Sequence, residues 1–295
     1  MSRPSRAPDS PRPSTPELLR GWALPTAHGS KYSRGQVVVV GGAARSPGAA
    51  LLAGEAALRV GAGRLTLAVA ASVAAQVAAA LPECGVVPLE ETADGHIRGE
   101  GVRDAGDDLS DADAVLVGPG LDDADETAEL LRILPDLVGH RSVVVLDAFA
   151  LGVLGEVREQ AKRFRGRLVL TPNISEAERL ADEEISDLAP TLIKIAKAYG
   201  AAVSCQNLVA SAEGELWAAG TGTVGLGTSG SGDVLAGAIT GLCARGATPQ
   251  QAAVWGTYLH ASAGDALATR IGSIGFLARE LLPELPNLLD RLRPS

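Results

Sequence analysis

The sequence predicts an α/β fold: a central, mostly parallel sheet with helices on both faces, built as one large domain. Three observations carry that prediction. Compact runs of Val, Leu and Ile, bounded by Gly, Asp or Pro, recur without polar alternation, the pattern of strands buried on both faces. Helical stretches separate these runs, and strand–helix–strand alternation favours parallel pairing through right-handed crossovers. No linker-like stretch divides the chain after Gly35, and 295 residues with 46% hydrophobic content suffice for a sizeable core.

Residues 1–16 are rich in Pro, Ser and Arg and bury too little to offset ordering entropy, which predicts a mobile tail. An arm over 17–34, carrying Leu18, Leu19, Trp22 and Leu24, packs on the body, and the domain occupies 35–295. Within it, strands are expected at 36–41, 64–70, 113–118, 142–147 and 167–171, with helices at 47–60, 72–81, 124–137, 149–154 and 188–199. Shorter strand-like pieces at 201–204, 208–211 and 215–218, with a turn at Glu213-Gly214, predict an antiparallel edge. Helices at 231–245, 249–269 and 276–292 close the chain. Aromatics make up only 3% while Gly and Ala abound, so the core must rely on close backbone approach.

The formal net charge of −9 excludes the basic stripe of a general nucleic-acid binder, though a local anion site remains compatible with it. Cys84, Cys205 and Cys243 are odd in number and lack metal or disulfide spacing, as expected of free thiols in a reducing cytoplasm. The N-terminus has no apolar signal region, and no run is long and apolar enough to span a membrane.

The most informative segment runs from Gly225 to Asp233 (GLGTSGSGD), directly into a helical stretch. Small residues let backbone N–H groups converge, and the helix adds its unsatisfied donors and the positive end of its dipole. Together they form an anion site suited to phosphate at Gly230, Ser231 and Gly232, with Asp233 in the first turn able to reach a hydroxyl beside it. An ordinary helix cap, with Asp233 serving only the dipole, is the competing reading. Gly225 to Gly230 also matches G-x-G-x-x-G. A dinucleotide fold would need a central strand before the loop and an acidic residue after the next strand, and neither is present. Nor is there a Gly-Lys-Ser/Thr to make a P-loop.

Ligands of parallel α/β sheets bind beyond the carboxyl ends of the strands. Four exits fall there: Gly41-Gly42 followed by Ser46-Pro47-Gly48-Ala49-Ala50, Gly118-Pro119-Gly120-Leu121, Asp147-Ala148, and Thr171-Pro172-Asn173 with Glu176. Each alone is a common turn; four on one edge point to a site. His260 falls within a helix as a satisfied, partly buried imidazole, and His28, His96 and His140 lie in loops or termini, so none is assigned to catalysis. The acidic stretches at Glu90-Glu91 to Asp94 and over 104–113 read as solvated loops.

These motifs, in this order, resemble the ADP- or ATP-dependent NAD(P)H-hydrate dehydratases of the ribokinase-like superfamily. Lys31-Tyr-Ser-Arg-Gly35, the segments at 57–63 and 227–237, and Tyr258 to Asp265 carry the resemblance with the four exits, over 31–286. It implies a ribokinase-like sheet and a repair reaction on the S epimer of hydrated NADH or NADPH, with ADP or ATP as co-substrate and Mg²⁺ bridging phosphates. Asp233 would deprotonate the ring hydroxyl, and the Gly230, Ser231 and Gly232 amides would stabilise the phosphoryl charge. Ala49, Gly120, Asn173 and Asp233 match hydrate-binding positions. Gly232 and the stretch Ser204, Cys205, Gln206 and Asn207 match nucleotide contacts, and Glu176 would support the metal through water.

The sequence departs from the family in two places. Bacterial members usually carry His where Asn173 stands. Val203 to Asn207 lacks the usual Lys-Gly pair, which removes a charge-assisted phosphate contact. The stretch before Lys31 is too short for the epimerase domain often fused to this family, so an epimerase is expected as a separate protein; the resemblance also implies a homo-oligomer. Two other functions share these residues: a kinase of hydroxymethylpyrimidine type, and a non-catalytic nucleotide-binding protein on the same fold.

Overall fold

The computed structural model describes residues 10–26 and 29–293. The strands are β1 (Arg12–Pro13), β2 (Gln36–Val40), β3 (Arg64–Ala70), β4 (Gly85–Leu89), β5 (Ala114–Val117), β6 (Val143–Leu146), β7 (Leu168–Leu170), β8 (Ala202–Cys205), β9 (Leu208–Ala210) and β10 (Leu216–Ala218). They form one sheet in the order β1-β10-β9-β8-β7-β6-β5-β2-β3-β4. From β4 to β8 every pairing is parallel; β9 runs antiparallel to both β8 and β10, as the short pieces after 201 predict. The five expected central strands are all present.

The helices are α1 (Pro16–Gly21), α2 (Pro47–Arg59), α3 (Ala74–Ala80), α4 (Gly106–Asp111), α5 (Ala124–Leu137), α6 (Phe149–Val153), α7 (Arg158–Ala161), α8 (Ile174–Ala181), α9 (Leu188–Tyr199), α10 (Ser231–Ala244), α11 (Pro249–Arg270), α12 (Ala278–Leu281) and α13 (Glu284–Arg291). Two apolar layers sandwich the sheet. Val37 and Val39 of β2 face α2, α10 and α11, while Val38 and Val40 face the layer of α5, α6, α8 and α9. This alternation explains why the strand reads as an unbroken valine run: both of its faces are covered.

Glycine sets the spacing of α2 and α10. A Cβ at Gly237 would fall 2.0 Å from the Ala53 carbonyl oxygen, and one at Gly241 would fall 2.5 Å from that of Ala57. Two small residues a turn apart therefore let the helix backbones touch, as the aromatic-poor composition requires.

Several expectations are corrected. Residues 12–16 are structured, although composition placed them in a mobile tail: Arg12–Pro13 pairs with Trp217 and Ala218, and Thr15 caps α1. The rest of that tail, 1–9, lies outside the described residues, as does His28. The arm does pack on the body, with Leu19 fully buried and Trp22 stacked on Trp217 at 5.8 Å. The stretch over 104–113 is not merely a solvated loop. Asp113 accepts the Gln36 amide at 2.9 Å and Asp108 accepts the Thr66 hydroxyl at 2.8 Å, tying α4 to β2 and β3. The last expected helix breaks into α12 and α13 at Pro283, whose missing N–H and ring clash interrupt a helix.

Candidate active site

The strand order reverses between β2 and β5, because β2 pairs with β3 on one side and β5 on the other. Such a switch point opens a crevice at the carboxyl ends of the strands. Its walls are held by backbone bonds: Gly42 donates to Pro119 O at 2.8 Å, and Ala43 donates to Gly120 O at 2.9 Å. The Ser46 hydroxyl adds a third bond to Gly120 O at 3.0 Å, fixing the loop that leads into α2 and Ala49. Gly120 takes φ 73°, which suits a residue without a side chain, and an added Cβ would lie 2.4 Å from Ser46 O.

The tip of α10 meets this crevice. Gly230 is the N-cap at φ 87°, and a Cβ there would strike Leu52 of α2 at 2.6 Å and Ala278 of α12 at 3.1 Å. No side chain caps the helix. The Ser231 amide donates to Thr228 O at 3.2 Å and is engaged within the loop, which leaves the amides of Gly230 and Gly232 as the candidate anion donors of the tip. The Ser231 side chain is buried against His260, Oγ to Nε2 at 2.9 Å. Burial pushes His260 down to about 4, so this imidazole is neutral and acts as a hydrogen-bonding prop beneath the tip. The sequence reading of His260 as a satisfied buried histidine holds; its contact with the glycine loop was not foreseen.

Asp233 is partly buried in the first turn of α10, and loss of solvent pushes its carboxyl up to about 6. Asp147, at the exit of β6, is buried and pushed up to about 8, first by desolvation and then by the charges of Asp233 and Glu176. It is therefore neutral at pH 7. Thr171 Oγ1 lies 2.7 Å from its carboxyl and 3.3 Å from Leu146 O, so the protonated acid and the hydroxyl form a short chain. Ala148 beside it adopts φ 48°, a left-handed conformation that an alanine takes only where the surroundings impose it. Sequence reasoning named the Asp147-Ala148 exit without a role for the acid; a lone Asp at the end of an apolar strand was the available signal.

Asn173 and Glu176 form a capping box at α8: Asn173 Oδ1 accepts the Glu176 amide, and Glu176 Oε2 accepts the Asn173 amide, both at 2.9 Å. The N-x-x-E spacing announced this helix, which the sequence reading left as an exit turn. Burial raises the Glu176 carboxyl. Asn173 remains exposed at the mouth, with its amide nitrogen still to spend.

The stretch expected to contact nucleotide is largely occupied internally. Ser204 and Cys205 are buried, Ser204 Oγ lies 2.7 Å from Thr257 Oγ1, and Asn207 closes the β8–β9 turn onto Ala219 O at 3.2 Å. Gln206, at φ 53°, and Asn207 are the exposed members of the stretch. Ala49, Gly120, Asp147, Asn173 and Glu176 thus stand on the edge that Gly230, Gly232 and Asp233 face. Among the described residues no group of three or more His, Cys, Asp or Glu side chains is placed to hold a metal ion. None of the described helices is long and apolar enough to cross a membrane.

A family profile described as NAD(P)H-hydrate dehydratase matches residues 37–287. The chain belongs to the NAD(P)H-hydrate dehydratase family. Within the family it is 45% identical over 293 residues to the ADP-dependent (S)-NAD(P)H-hydrate dehydratase of Xanthomonas campestris pv. campestris, covering 95% of this chain and 97% of that one. It is 35% identical to the bifunctional NAD(P)H-hydrate repair enzyme Nnr of Moorella thermoacetica, across 90% of this chain but 51% of that enzyme, so it spans about half of the bifunctional protein. In three dimensions it resembles an Enterococcus faecalis ribokinase-like protein, with a TM-score of 0.83 at 23% identity, covering 96% of each chain. A Bacillus subtilis ADP/ATP-dependent NAD(P)H-hydrate dehydratase, co-crystallised with ATP/Mg²⁺, matches with a TM-score of 0.74 at 26% identity, over 96% of this chain and 99% of that one. The fold of this dehydratase-family chain is therefore ribokinase-like, as the motifs imply.

Proposed function

We propose that the chain dehydrates the S epimer of hydrated NADH or NADPH, with ADP or ATP as the phosphoryl donor. The observation that carries the reading is the meeting of one base and an uncapped helix tip at the switch-point crevice. Asp233, ionised above about pH 6, accepts the proton of the ring hydroxyl as the hydroxyl oxygen bonds to the terminal phosphorus and the P–O anhydride bond breaks, releasing AMP from ADP or ADP from ATP. The amides of Gly230 and Gly232, with the positive end of the α10 dipole, stabilise charge on the phosphoryl oxygens. Cleavage of the ring C–O bond then expels phosphate, and loss of a proton from the adjacent ring carbon restores the double bond of the reduced nicotinamide. Neutral Asp147 keeps a second negative charge away from the donor's phosphates while holding Thr171 in place.

Ala49 and Gly120 would line the hydrate pocket, where small residues permit close backbone approach, and Asn173 would donate its free amide. The donor's nucleoside would pass Gln206 and the backbone of Ser204, Cys205 and Asn207, with Gly232 beneath its phosphates. The described side chains form no closed metal cage, so Mg²⁺ would arrive with the nucleotide, held mainly by phosphate oxygens and water. When bound with the nucleotide it would neutralise phosphate charge, with Glu176 holding one of its waters.

The natural setting we infer is a cytoplasmic homo-oligomer working beside a separate epimerase. The test is spectroscopic: the purified protein with ADP or ATP restores reduced-nicotinamide absorbance from hydrated NADH. Asp233→Asn should cut that rate by about 10²–10⁴-fold. Unchanged turnover in the variant would remove Asp233 from the mechanism. A stable phosphorylated pyrimidine alcohol, without absorbance recovery, would instead establish the kinase.

A further inference from the structure

α10 has a second end. Its 14 residues extend about 20 Å at 1.5 Å per residue, from the tip at Gly230 to the amino edge of the sheet. There a Cβ on Gly35, just before β2, would strike Ala244 O at 2.0 Å. A cavity of about 550 Å³ opens at this edge, lined by Arg34, Arg59, Arg245 and Arg293, with Asp290 as the one carboxylate in its wall. The four arginines come from separate segments: the turn before β2, the end of α2, the C-cap of α10 and the chain beyond α13.

Two of them are neutralised locally. Arg59 pairs with Glu55 at 2.9 Å, and Arg293 pairs with Asp290 at 3.0 Å. Arg34 has no carboxylate partner among the described residues. Among the described residues Arg245 reaches only carbonyls, Val60 O at 2.6 Å and Pro25 O at 3.3 Å, and its buried Nε meets no acceptor. Burial, and then the like charges of Arg293 and Arg34, hold the Arg245 guanidinium below its ordinary range. A chain of net charge −9 thus gathers guanidiniums around one void and leaves two of them unneutralised. A buried donor without an acceptor is costly, as is a cluster of like charges, and an anion in the cavity would relieve both.

We propose that this cavity is an anion site for a multiply charged organic phosphate of about mononucleotide size, held by Arg34 and Arg245, with Arg293 joining from the rim by exchanging its solvent-exposed pair with Asp290 for the anion. The volume falls within the range of small-molecule sites, roughly 300–1,000 Å³. Planar guanidinium forks match phosphate oxygens bidentately, and the two unpartnered guanidiniums balance a phosphate dianion, whereas a monocarboxylate would leave one exposed. Trp255, buried with its indole N–H on Trp22 O at 3.0 Å, supplies an apolar wall for the organic part. The lining holds no histidine or cysteine among the described residues, and its one carboxylate, Asp290, lies against Arg293, so the site binds and does not transform. It stands apart from the crevice at the opposite edge and does not depend on the reaction proposed there.

Calorimetric titration of the full chain with inorganic tripolyphosphate tests the proposal. The wild-type protein should bind it, and the double variant Arg34→Ala/Arg293→Ala should bind at least about tenfold more weakly. Both side chains are exposed, so the fold should survive. The Arg34→Gln/Arg293→Gln pair should show the same loss while keeping the apolar stems, which separates charge from packing. Turnover at saturating donor should be unchanged in both variants. Equal tripolyphosphate binding in wild type and variants would place the anion elsewhere and overturn the proposal, as would no binding at all. Tighter binding of citrate than of tripolyphosphate would overturn the phosphate assignment.

Discussion

Two carboxyls near one crevice divide their labour because their surroundings differ. Asp147 is fully enclosed, so its proton is held to about pH 8, while partly buried Asp233 releases its proton near pH 6. A general base must be ionised, so kcat/KM should fall about tenfold per pH unit below roughly pH 6. A pH–rate profile checks this, and a flat profile down to pH 4 would rule out Asp233 as the titrating base. His260 acts through Ser231 and touches no reacting atom. His260→Ala should lower kcat by about tenfold with little change in KM, since a lost neutral hydrogen bond is worth on the order of 1 kcal/mol. His260→Gln, which can still reach the hydroxyl, should recover part of the rate; absence of rescue would reduce the histidine to packing.

At the scale of elements, the α2–α10 contact holds the glycine-rich tip of α10 against the loop that leads into α2. Replacing Gly237 by Ala would gain about 1 kcal/mol of helix propensity. Its Cβ would nevertheless sit 2.0 Å from Ala53 O, and overpacking of this kind costs about 1–3 kcal/mol. The clash wins. Gly237→Ala should be net destabilised, and Gly237→Val more so, read as a lower urea midpoint. A raised midpoint would mean that the helices part more easily than the packing implies. The central strands, α2, α5, α9 and α11 were legible from apolar runs and periodicity, because those signals are local. β4 was not, since it is an edge strand interrupted by Pro88 and half exposed, which weakens its apolar run. β1 was missed because two residues paired to β10 leave no pattern at all.

For the whole molecule, the buried acids tie stability to pH. The folded-state carboxyls of Asp147 and Asp233 sit above their unfolded values, so between about pH 4 and 8 these two groups hold more protons in the native state than in the unfolded chain, offset in part below about pH 6.5 by His260, which stays neutral only when folded. Stability should therefore fall as pH rises through that window, with the Asp147 contribution fully lost only above about pH 8. Asp147→Asn should flatten the profile while keeping the hydrogen bond to Thr171, measurable as melting temperature against pH. A slope as steep as that of the wild type would place the titrating group elsewhere.

Order along the chain was enough to specify a parallel sheet, a glycine-rich loop from Gly225 to Asp233 opening a helix, and four strand exits on one edge, since those properties depend on residues near one another in sequence. Three-dimensional packing decided the rest. It spent the Ser231 amide and Ser204 hydroxyl internally, set His260 under the helix tip from 29 residues away, and enclosed Asp147 until its proton stays on at neutral pH. It also drew four arginines from distant segments around a single void at the opposite edge. Desolvation and charge proximity are properties of the assembled solid, and no linear spacing encodes them.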